Sequence, residues 1–545
     1  MADYVIVGGG SAGSVLANRL SEDADVKVVL IEAGGSDFHP FYRVPAGFAK
    51  MTKGLGSWGW QTVPQRHLKD RVLRYTQAKV IGGGSTINAQ IYTRGNALDY
   101  DSWARDSHCE GWSYRDILPY FKRAEDNQRF VDDYHSAGGP LGVSMPIAPL
   151  PICDAYFRAA QEMGIPYNAD VNGARQDGVG FYQLTQRNAQ RSSAASAYLK
   201  PIRARANLEV KLNALVRRIV IERGRAIGVE IVEKGATRLI RAEREVLLTA
   251  GAFGSPKILQ QSGVGPAEAL KAVGVPVVHD LPGVGSNLQD HLDLFVIAEC
   301  TGDHTYDNYA KLHRSAWAGL QYLLFHNGPA ASSLFETGGF WYADKSARSP
   351  DIQFHLGLGS GIEAGVIQLK HPGVTLNSAF LRPRSRGTLR LASADPRAAP
   401  LIDPNYWADP YDRAMSIEGL RLARAIMRQP AMRPFVLAEK LPGPALTSDD
   451  ELFDYGCAHA KTDHHPVGTC RMGHDADCVV TPDLKVRGLE ALRVCDASIM
   501  PTIVSSNTNA PTIMIGEKAS DMVRGREPPT PALLATNQGA GAFTR

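Results

Sequence analysis

Residues 4–35 read YVIVGGGSAGSVLANRLSEDADVKVVLIEAGG. Tyr4 to Val7 is a short apolar run that leads straight into Gly8-Gly9-Gly10-Ser11-Ala12-Gly13, a complete G-x-G-x-x-G. Val15, Leu16 and Leu20 then share one face at helical spacing. A second apolar run, Val26 to Ile31, ends at Glu32. Strand, tight turn, helix and strand in this order form the start of a dinucleotide-binding unit. Gly8 permits the turn, Gly10 lets backbone approach a pyrophosphate, and Gly13 lets helix and strand pack closely. The helix start, at Ser11 and Ala12, presents N–H groups to phosphate. Glu32 and Ala33 stand where ribose hydroxyls are received. A glycine-rich turn in an ordinary α/β protein has no need of strand, spacing and acid together. The unit by itself favours neither NAD nor FAD, and no particular chemistry.

The 545 residues exceed one simple core, so two or more domains are expected. With 59 basic and 56 acidic residues the formal charge is +3, which points to no nucleic-acid partner. Seven cysteines lie scattered without a C-x-x-C pair. That argues against a disulfide frame or a metal site and fits a reducing compartment. No basic-then-apolar leader precedes residue 3, and no apolar run is long enough to span a bilayer. The expected location is the cytoplasm, with membrane contact at most peripheral.

Along the chain, residues 34–76 are rich in loops, and residues 138–200 begin with a Pro/Gly-rich stretch. Both read as insertions in a first domain covering 1–295. Residues 208–249 alternate like a run of strands, and Pro256 to Ser262 reads as a short helix. After LPGVGSNLQDH, which ends at His291, the texture changes. Residues 296–460 mix strands and amphipathic helices, with a helix expected over Ser416–Met427. This is assigned to a substrate-side domain. Residues 461–525 return to motif-rich sequence, and 526–545 read as a poorly ordered tail.

Four blocks stand out. The first is the opening unit. The second is AKVIGGGSTIN, residues 78–88, followed by Tyr92, Gly95 and Asp101. The third is GAFGSP, residues 251–256, followed by SGVG at 262–265. The fourth is HPVGT at 465–469, then VCDAS at 494–498 and NTN at 507–509. Together they resemble the glucose–methanol–choline (GMC) family of FAD-dependent oxidoreductases, over residues 3 to about 525. The second and third blocks match the family's two signature patterns.

The resemblance implies an α/β fold: a Rossmann-like FAD domain interleaved with a substrate domain built on an antiparallel sheet flanked by helices. It implies FAD contacts at Gly83, Ser85, Asn88 and Ala89, at Val216, at Asp496 and Ala497, and at Asn507, Thr508 and Thr512. Asp496 reads alternatively as a helix or turn cap. Thr512 is expected to open a helix whose positive end faces the flavin. Some relatives attach FAD through a histidine in the second block. The matching position here is Ile87, so non-covalent binding is expected.

Alcohol oxidation needs a base for the hydroxyl proton and an acceptor for the hydride. A neutral imidazole suits the first task and flavin N5 the second. His465 aligns with the family's base, and Asn507 with the partner that donates to the substrate oxygen. Asn509 is a nearby competitor for that second position. His464 reads as a substrate contact, a charge that tunes His465, or a structural histidine. Glu336, Gln353 and His355 are candidates for lining the substrate pocket, with a solvated acid and an outward strand face as the alternatives.

Within the family the chain is most similar to bacterial alcohol dehydrogenases of the choline and L-sorbose type, with polyethylene glycol dehydrogenases close by. HPFYRVPAGFAKMTKG at 39–54 and YDNYAKLHRSAWAGLQYLLF at 306–325 carry the likeness to the sorbose enzymes. The implied reaction is oxidation of a primary alcohol or polyol, with electrons passed to a quinone, cytochrome, dye or other non-oxygen acceptor. The alternatives are an oxidase that makes peroxide from oxygen and a hydroxynitrile lyase whose FAD performs no redox step.

Overall fold

The computed structural model describes residues 1–534. Two seven-stranded sheets carry the fold. The first opens with β1 (Ala2–Val7) and β2 (Val28–Ile31), which pair in parallel, and β2 pairs in parallel with β3 (Leu208–Lys211). β4 (Leu215–Glu222), β5 (Arg225–Glu233) and β6 (Ala236–Leu248) then form an antiparallel meander. β6 is long enough for two tasks. Its first half pairs with β5, and its second half lies parallel to both β1 and the strand Leu492–Val494. From Tyr4 onward β1 is a continuous apolar run, as is β2, because both their faces are covered.

α1 (Ser11–Leu20) follows β1. A Cβ on Gly13 would lie 2.0 Å from the Gly8 carbonyl oxygen, so only glycine lets the helix approach this closely. α2 (Gly251–Gln261) begins five residues before the helix expected at Pro256. Pro256 is tolerated inside it because the Ala252 carbonyl, deprived of its helical partner, accepts Thr469 Oγ1 at 2.5 Å.

The second sheet contains β7 (Leu292–Cys300), β8 (Thr337–Trp341), β9 (Ile352–Gly357), β10 (Gly373–Phe380) and β11 (Val436–Leu441). Their order is β11-β7-β10-β9-β8, and each pairing is antiparallel. The strand Gly178–Phe181 closes the far edge against β8. It comes from the 138–200 stretch expected in the first domain. Glycines at its neighbour make the contact possible: a Cβ on Gly339 would lie 2.4 Å from the Gly178 carbonyl oxygen. β12 (Lys461–Thr462) pairs with the start of β7 and carries the chain toward His465.

Helix α3 (Leu312–Phe325) lies at the periphery of this half. α4 (Pro410–Met427) covers the sheet with Ile417, Leu420, Ala423 and Ile426 at helical spacing. It starts six residues before the expected Ser416, because Asp409 caps it by accepting the Tyr411 N–H at 2.9 Å and Pro410 suits its first turn. Of the tail, residues 526–534 form neither helix nor strand. Ala532 is nonetheless pinned by two hydrogen bonds with Arg115, so this part is anchored rather than loose. Residues 535–545 of the expected tail lie outside the described residues.

α5 (Asn509–Arg524) packs on α1, and Glu517 ties them to the helix Tyr114–Ala124. Its fully buried carboxylate accepts Arg19 Nη2 at 2.8 Å, Arg123 Nε at 2.8 Å and the Tyr198 hydroxyl at 2.9 Å. Removing it leaves Arg19 with Glu22, and Arg123 with Asp521, as remaining acid partners. Glu517→Ala should destabilise the protein by about 2–3 kcal/mol, and Tyr198→Phe by only about 1 kcal/mol. Urea unfolding midpoints of the two variants test the difference, and equal small shifts would remove the network from the account.

Candidate active site

The ends of the first sheet and the face of the second enclose a cavity of about 310 Å³. Two helices begin on it with no side-chain cap. Gly10 precedes α1 and Thr508 precedes α5, so both first turns present unpaired N–H groups. Gly8, Gly10, Ser11 and Ala12 line one wall, with Glu32 and Ala33 at the end of β2. Glu32 accepts the N–H groups of Gly9 at 2.9 Å and Gly34 at 2.7 Å. Burial nevertheless pushes its carboxyl up to about 7.

Gly83 comes from the second block. Its φ is +57°, and a Cβ there would lie 2.6 Å from Gly10 Cα. The two glycine segments thus form one narrow cradle. Asn88 and Ala89 follow on the same wall, and Val216 and Ala497 line it elsewhere. Asn509 Nδ2 is buried without a hydrogen-bond partner, a donor left for a ligand. Open helix ends, a glycine cradle, a ribose-side carboxylate and an orphan donor together suit a bound dinucleotide such as FAD.

Four expected contacts sit differently. Ser85 does not reach the cavity. Its hydroxyl donates to the Gly82 carbonyl at 2.6 Å and accepts the Ala194 N–H at 2.8 Å, which folds the glycine turn. Gly13 serves helix packing and is likewise outside the lining. Asp496 borders the cavity, but its carboxylate caps. It accepts the N–H groups of Gly251 and Ser498 and the Ser255 hydroxyl. Thr512 lines the cavity one turn inside α5, which opens at Asn509 rather than at Thr512.

The other end of the cavity holds the histidines. His465 Nε2 lies 3.1 Å from Asn507 Nδ2, and His465 Nδ1 lies 3.1 Å from His291 Nδ1. His291 Nε2 faces the Leu381 carbonyl at 3.2 Å, so that nitrogen must carry its proton. The neutral ring then offers a lone pair at Nδ1, and His465 donates to it from its own Nδ1. His465 Nε2 is left as an acceptor. Asn507 agrees independently. Its Oδ1 accepts Thr93 Oγ1 at 3.1 Å and Gln353 Nε2 at 3.0 Å, which turns its NH₂ toward His465.

Burial pushes His465 down to about 4 and His291 down to about 3, so both are neutral at ordinary pH. The His465 backbone is fixed by Asp290, which accepts its N–H at 2.8 Å. Asp290 also accepts the hydroxyls of Tyr75, Tyr406 and Thr462. Burial pushes its carboxyl up to about 6.

His464 lines the cavity with φ +61°. Its Nδ1 accepts the Thr76 N–H at 3.3 Å, and burial pushes it down to about 4, so it is neutral beside His465. His355 also faces the cavity, 4.0 Å from the Asp463 carboxylate. Gln353 lies behind Asn507 rather than on the lining. Glu336 is buried away from the cavity, and burial pushes it up to about 7. Neither is solvated and neither lines the pocket.

The structure adds residues that the sequence reading passed over. His291 and Asp290 close LPGVGSNLQDH, and nothing in spacing links them to His465, 174 residues later in the His291 pair. Lys461 is buried among Asp293 at 2.5 Å, Glu363 at 3.1 Å and Asp463 at 3.3 Å. Glu363 and Asp463 line the cavity with Asn377, whose Nδ2 donates to Glu363 at 3.0 Å. Among the described residues no group of His, Cys, Asp and Glu could hold a metal ion.

Known proteins match along the whole chain. The "Oxygen-dependent choline dehydrogenase 1" of Chromohalobacter salexigens is 43% identical, with 100% of this chain and 98% of that protein covered. The "Alcohol dehydrogenase [acceptor]" of Pseudomonas putida is 41% identical, with 96% of each covered. Among solved structures, pyridoxine 4-oxidase from "Mesorbium loti" superposes with a TM-score of 0.88 at 31% identity, covering 97% of this chain and 100% of that one. The GMC oxidoreductase models match residues 2–293 and 383–516. This chain belongs to the GMC oxidoreductase family.

Proposed function

We propose that the protein oxidises a primary alcohol or polyol to an aldehyde or ketone, holds FAD non-covalently, and passes electrons to a quinone or another non-oxygen acceptor. The carrying observation is the His291–His465–Asn507 chain, which leaves His465 Nε2 unprotonated beside an amide donor. Bound in the cavity, FAD would supply a two-electron acceptor for the hydride leaving the alcohol carbon. Gly10, Ser11, Glu32, Gly83 and Asn509 would hold it. Ile87 lines this cavity where some relatives place a linking histidine, which supports non-covalent binding.

In this reading the substrate hydroxyl enters between His465 Nε2 and Asn507 Nδ2. His465 removes the proton, and Asn507 donates to the oxygen as negative charge develops. His291 holds the ring in the reactive tautomer by accepting from Nδ1. Gln353 and Thr93 hold the Asn507 amide in register. Asp463 offsets the positive charge that His465 acquires. The "[acceptor]" in the name of the Pseudomonas putida relative supports the dehydrogenase reading. Oxygen as acceptor is the second reading. It is favoured by the names "Oxygen-dependent choline dehydrogenase 1" and pyridoxine 4-oxidase.

Anaerobic mixing with a panel of sugars, polyols, glycols, choline and aryl alcohols should bleach the flavin for at least one class. Bleaching would exclude the lyase, and failure with every alcohol would overturn the proposal. Turnover of the reducing alcohol with a soluble quinone should exceed turnover with air. Faster peroxide production would instead assign an oxidase.

His465→Ala should keep the protein yellow and folded while slowing flavin reduction by roughly 10²–10⁴-fold. Asn507→Ala should slow the hydride step more than it weakens flavin binding. A near-normal reduction rate in the first variant would refute the base assignment.

The base must be unprotonated to act, and burial lowers its pKa. Activity should therefore stay level as pH falls from 8 to roughly 5 and decline only as pH approaches the value of about 4 for His465. An acid limb centred near the ordinary histidine value of about 6.5 would contradict the buried, neutral ring.

A further inference from the structure

Arg191 is buried beside the second glycine block without an acid to meet it. It ends a short hairpin in which Gln186–Arg187 pairs with Gln190–Arg191, and its N–H donates to the Arg43 carbonyl at 3.0 Å. Only 5% of the residue is exposed. Its Nη1 donates to Asn88 Oδ1 at 2.6 Å and to the Ser85 carbonyl at 3.3 Å, and Nη2 lies 3.9 Å from Met51 Sδ. All three partners are neutral, and Nε has none among the described residues. Burial pushes the guanidinium down to about 9, with no carboxylate to offset it.

Arginine is almost never this deeply buried unless it is paired. Other buried cations of this chain obey the rule. Arg94 donates to Glu125 at 2.6 Å, and Lys461 sits among three carboxylates. A bare buried charge is costly, and a neutral donor could hold the Ser85–Asn88 turn without that cost. The anion that Arg191 lacks is therefore to be sought in what the cavity binds.

Asn88 links the two. Its Oδ1 also accepts the Gln90 N–H at 3.1 Å. Two donors thus hold the oxygen, which leaves the NH₂ for the cavity that Asn88 lines. Asn88 stands between the two ends of that cavity. Gly83, five residues earlier, belongs to the glycine cradle, and Thr93, five residues later, holds Asn507. The charge of Arg191 lies one side chain behind the wall that joins the nucleotide end to the base. Open helix ends already serve the phosphates at the cradle. A hydride carries two electrons and one proton, so its arrival turns a neutral oxidised flavin ring into an anion. A cation behind the wall favours the anionic form over the neutral one.

We propose that Arg191 is a positioning residue for the cofactor: it fixes the Asn88 amide and supplies the positive charge that favours reduced, anionic flavin. This rests on the FAD reading above.

The test uses purified holoprotein without alcohol, so alcohol oxidation does not enter it. Two readouts report charge at the ring. One is the two-electron midpoint potential. The other is affinity for sulfite, whose sulfur lone pair adds to flavin N5 and makes the ring anionic. Arg191→Met removes both charge and donor, Arg191→Gln keeps a donor for Asn88, and Arg191→Lys keeps the charge. Both charge-free variants should bind sulfite about 10-fold more weakly or worse. They should also favour reduced flavin about 10-fold less, a fall in potential of about 30 mV. At about pH 6, where a buried lysine is still charged, Arg191→Lys should stay nearer the parent than either. Parent-like potential and sulfite affinity in the Met and Gln variants, even with lowered thermal stability, would leave Arg191 a structural residue and overturn the proposal. Recovery by Gln and not by Lys would do the same. Loss of FAD from both charge-free variants would assign Arg191 to cofactor retention and also overturn it. A parent protein that purifies without flavin would sink the FAD reading itself, a result distinct from a flavin whose potential ignores Arg191.

Discussion

Backbone N–H groups at a helix start must find acceptors, and here α1 and α5 begin on one cavity without a side-chain cap. Much of the architecture follows from arranging that meeting. β1 delivers α1 to the cavity. The parallel pairing of β6 with β1 and with Leu492–Val494 delivers the segment that leads to α5. Glycines remove the Cβ atoms that would keep these parts apart. The cation-binding groups of Glu517 then clamp the bodies of the two helices, well away from their open ends. The first sheet is thus built around electropositive backbone, and an anionic ligand completes its hydrogen bonding.

The second sheet supplies a different environment. Around His465 the protein buries the imidazoles and holds them neutral, with hydrogen bonds giving the nitrogens of His291 and His465 a direction. Three carboxylates nearby, Asp293, Glu363 and Asp463, are gathered on Lys461, and Asp290 is surrounded by hydroxyl and amide donors. Neutral rings next to compensated acids allow a proton to move over a short distance without exposing a bare charge.

The nucleotide end was legible in the sequence because its requirements are local. A tight turn, a close approach and a strand-end acid all fall within thirty-odd residues, and each needs a particular residue type. The family blocks then led to His465 and Asn507, which the structure brings within hydrogen-bond distance. Spacing had less to say where a side chain has two plausible partners. Ser85 and Asp496 turn to backbone instead, both within their own turns, at Gly82 and Ser498, and across the fold, at Ala194 and Gly251. His291 was invisible for the opposite reason. Its role depends on a neighbour brought close only by the tertiary fold, and no periodicity records such a meeting. The strand Gly178–Phe181 crossed from its expected domain because a sheet edge accepts any segment whose backbone can come near enough.

The sharing of β6 between the two parts of the first sheet has a consequence for synthesis. β1 leaves the ribosome well before its partner residues in β6, which follow roughly 240 positions later. At about 5–20 residues per second, that interval lasts on the order of ten seconds to a minute. Throughout it, one edge of a buried apolar strand has no mate within the nascent chain. The most recognisable stretch of this protein therefore keeps an open strand edge until β6 arrives, and such an edge invites mispairing.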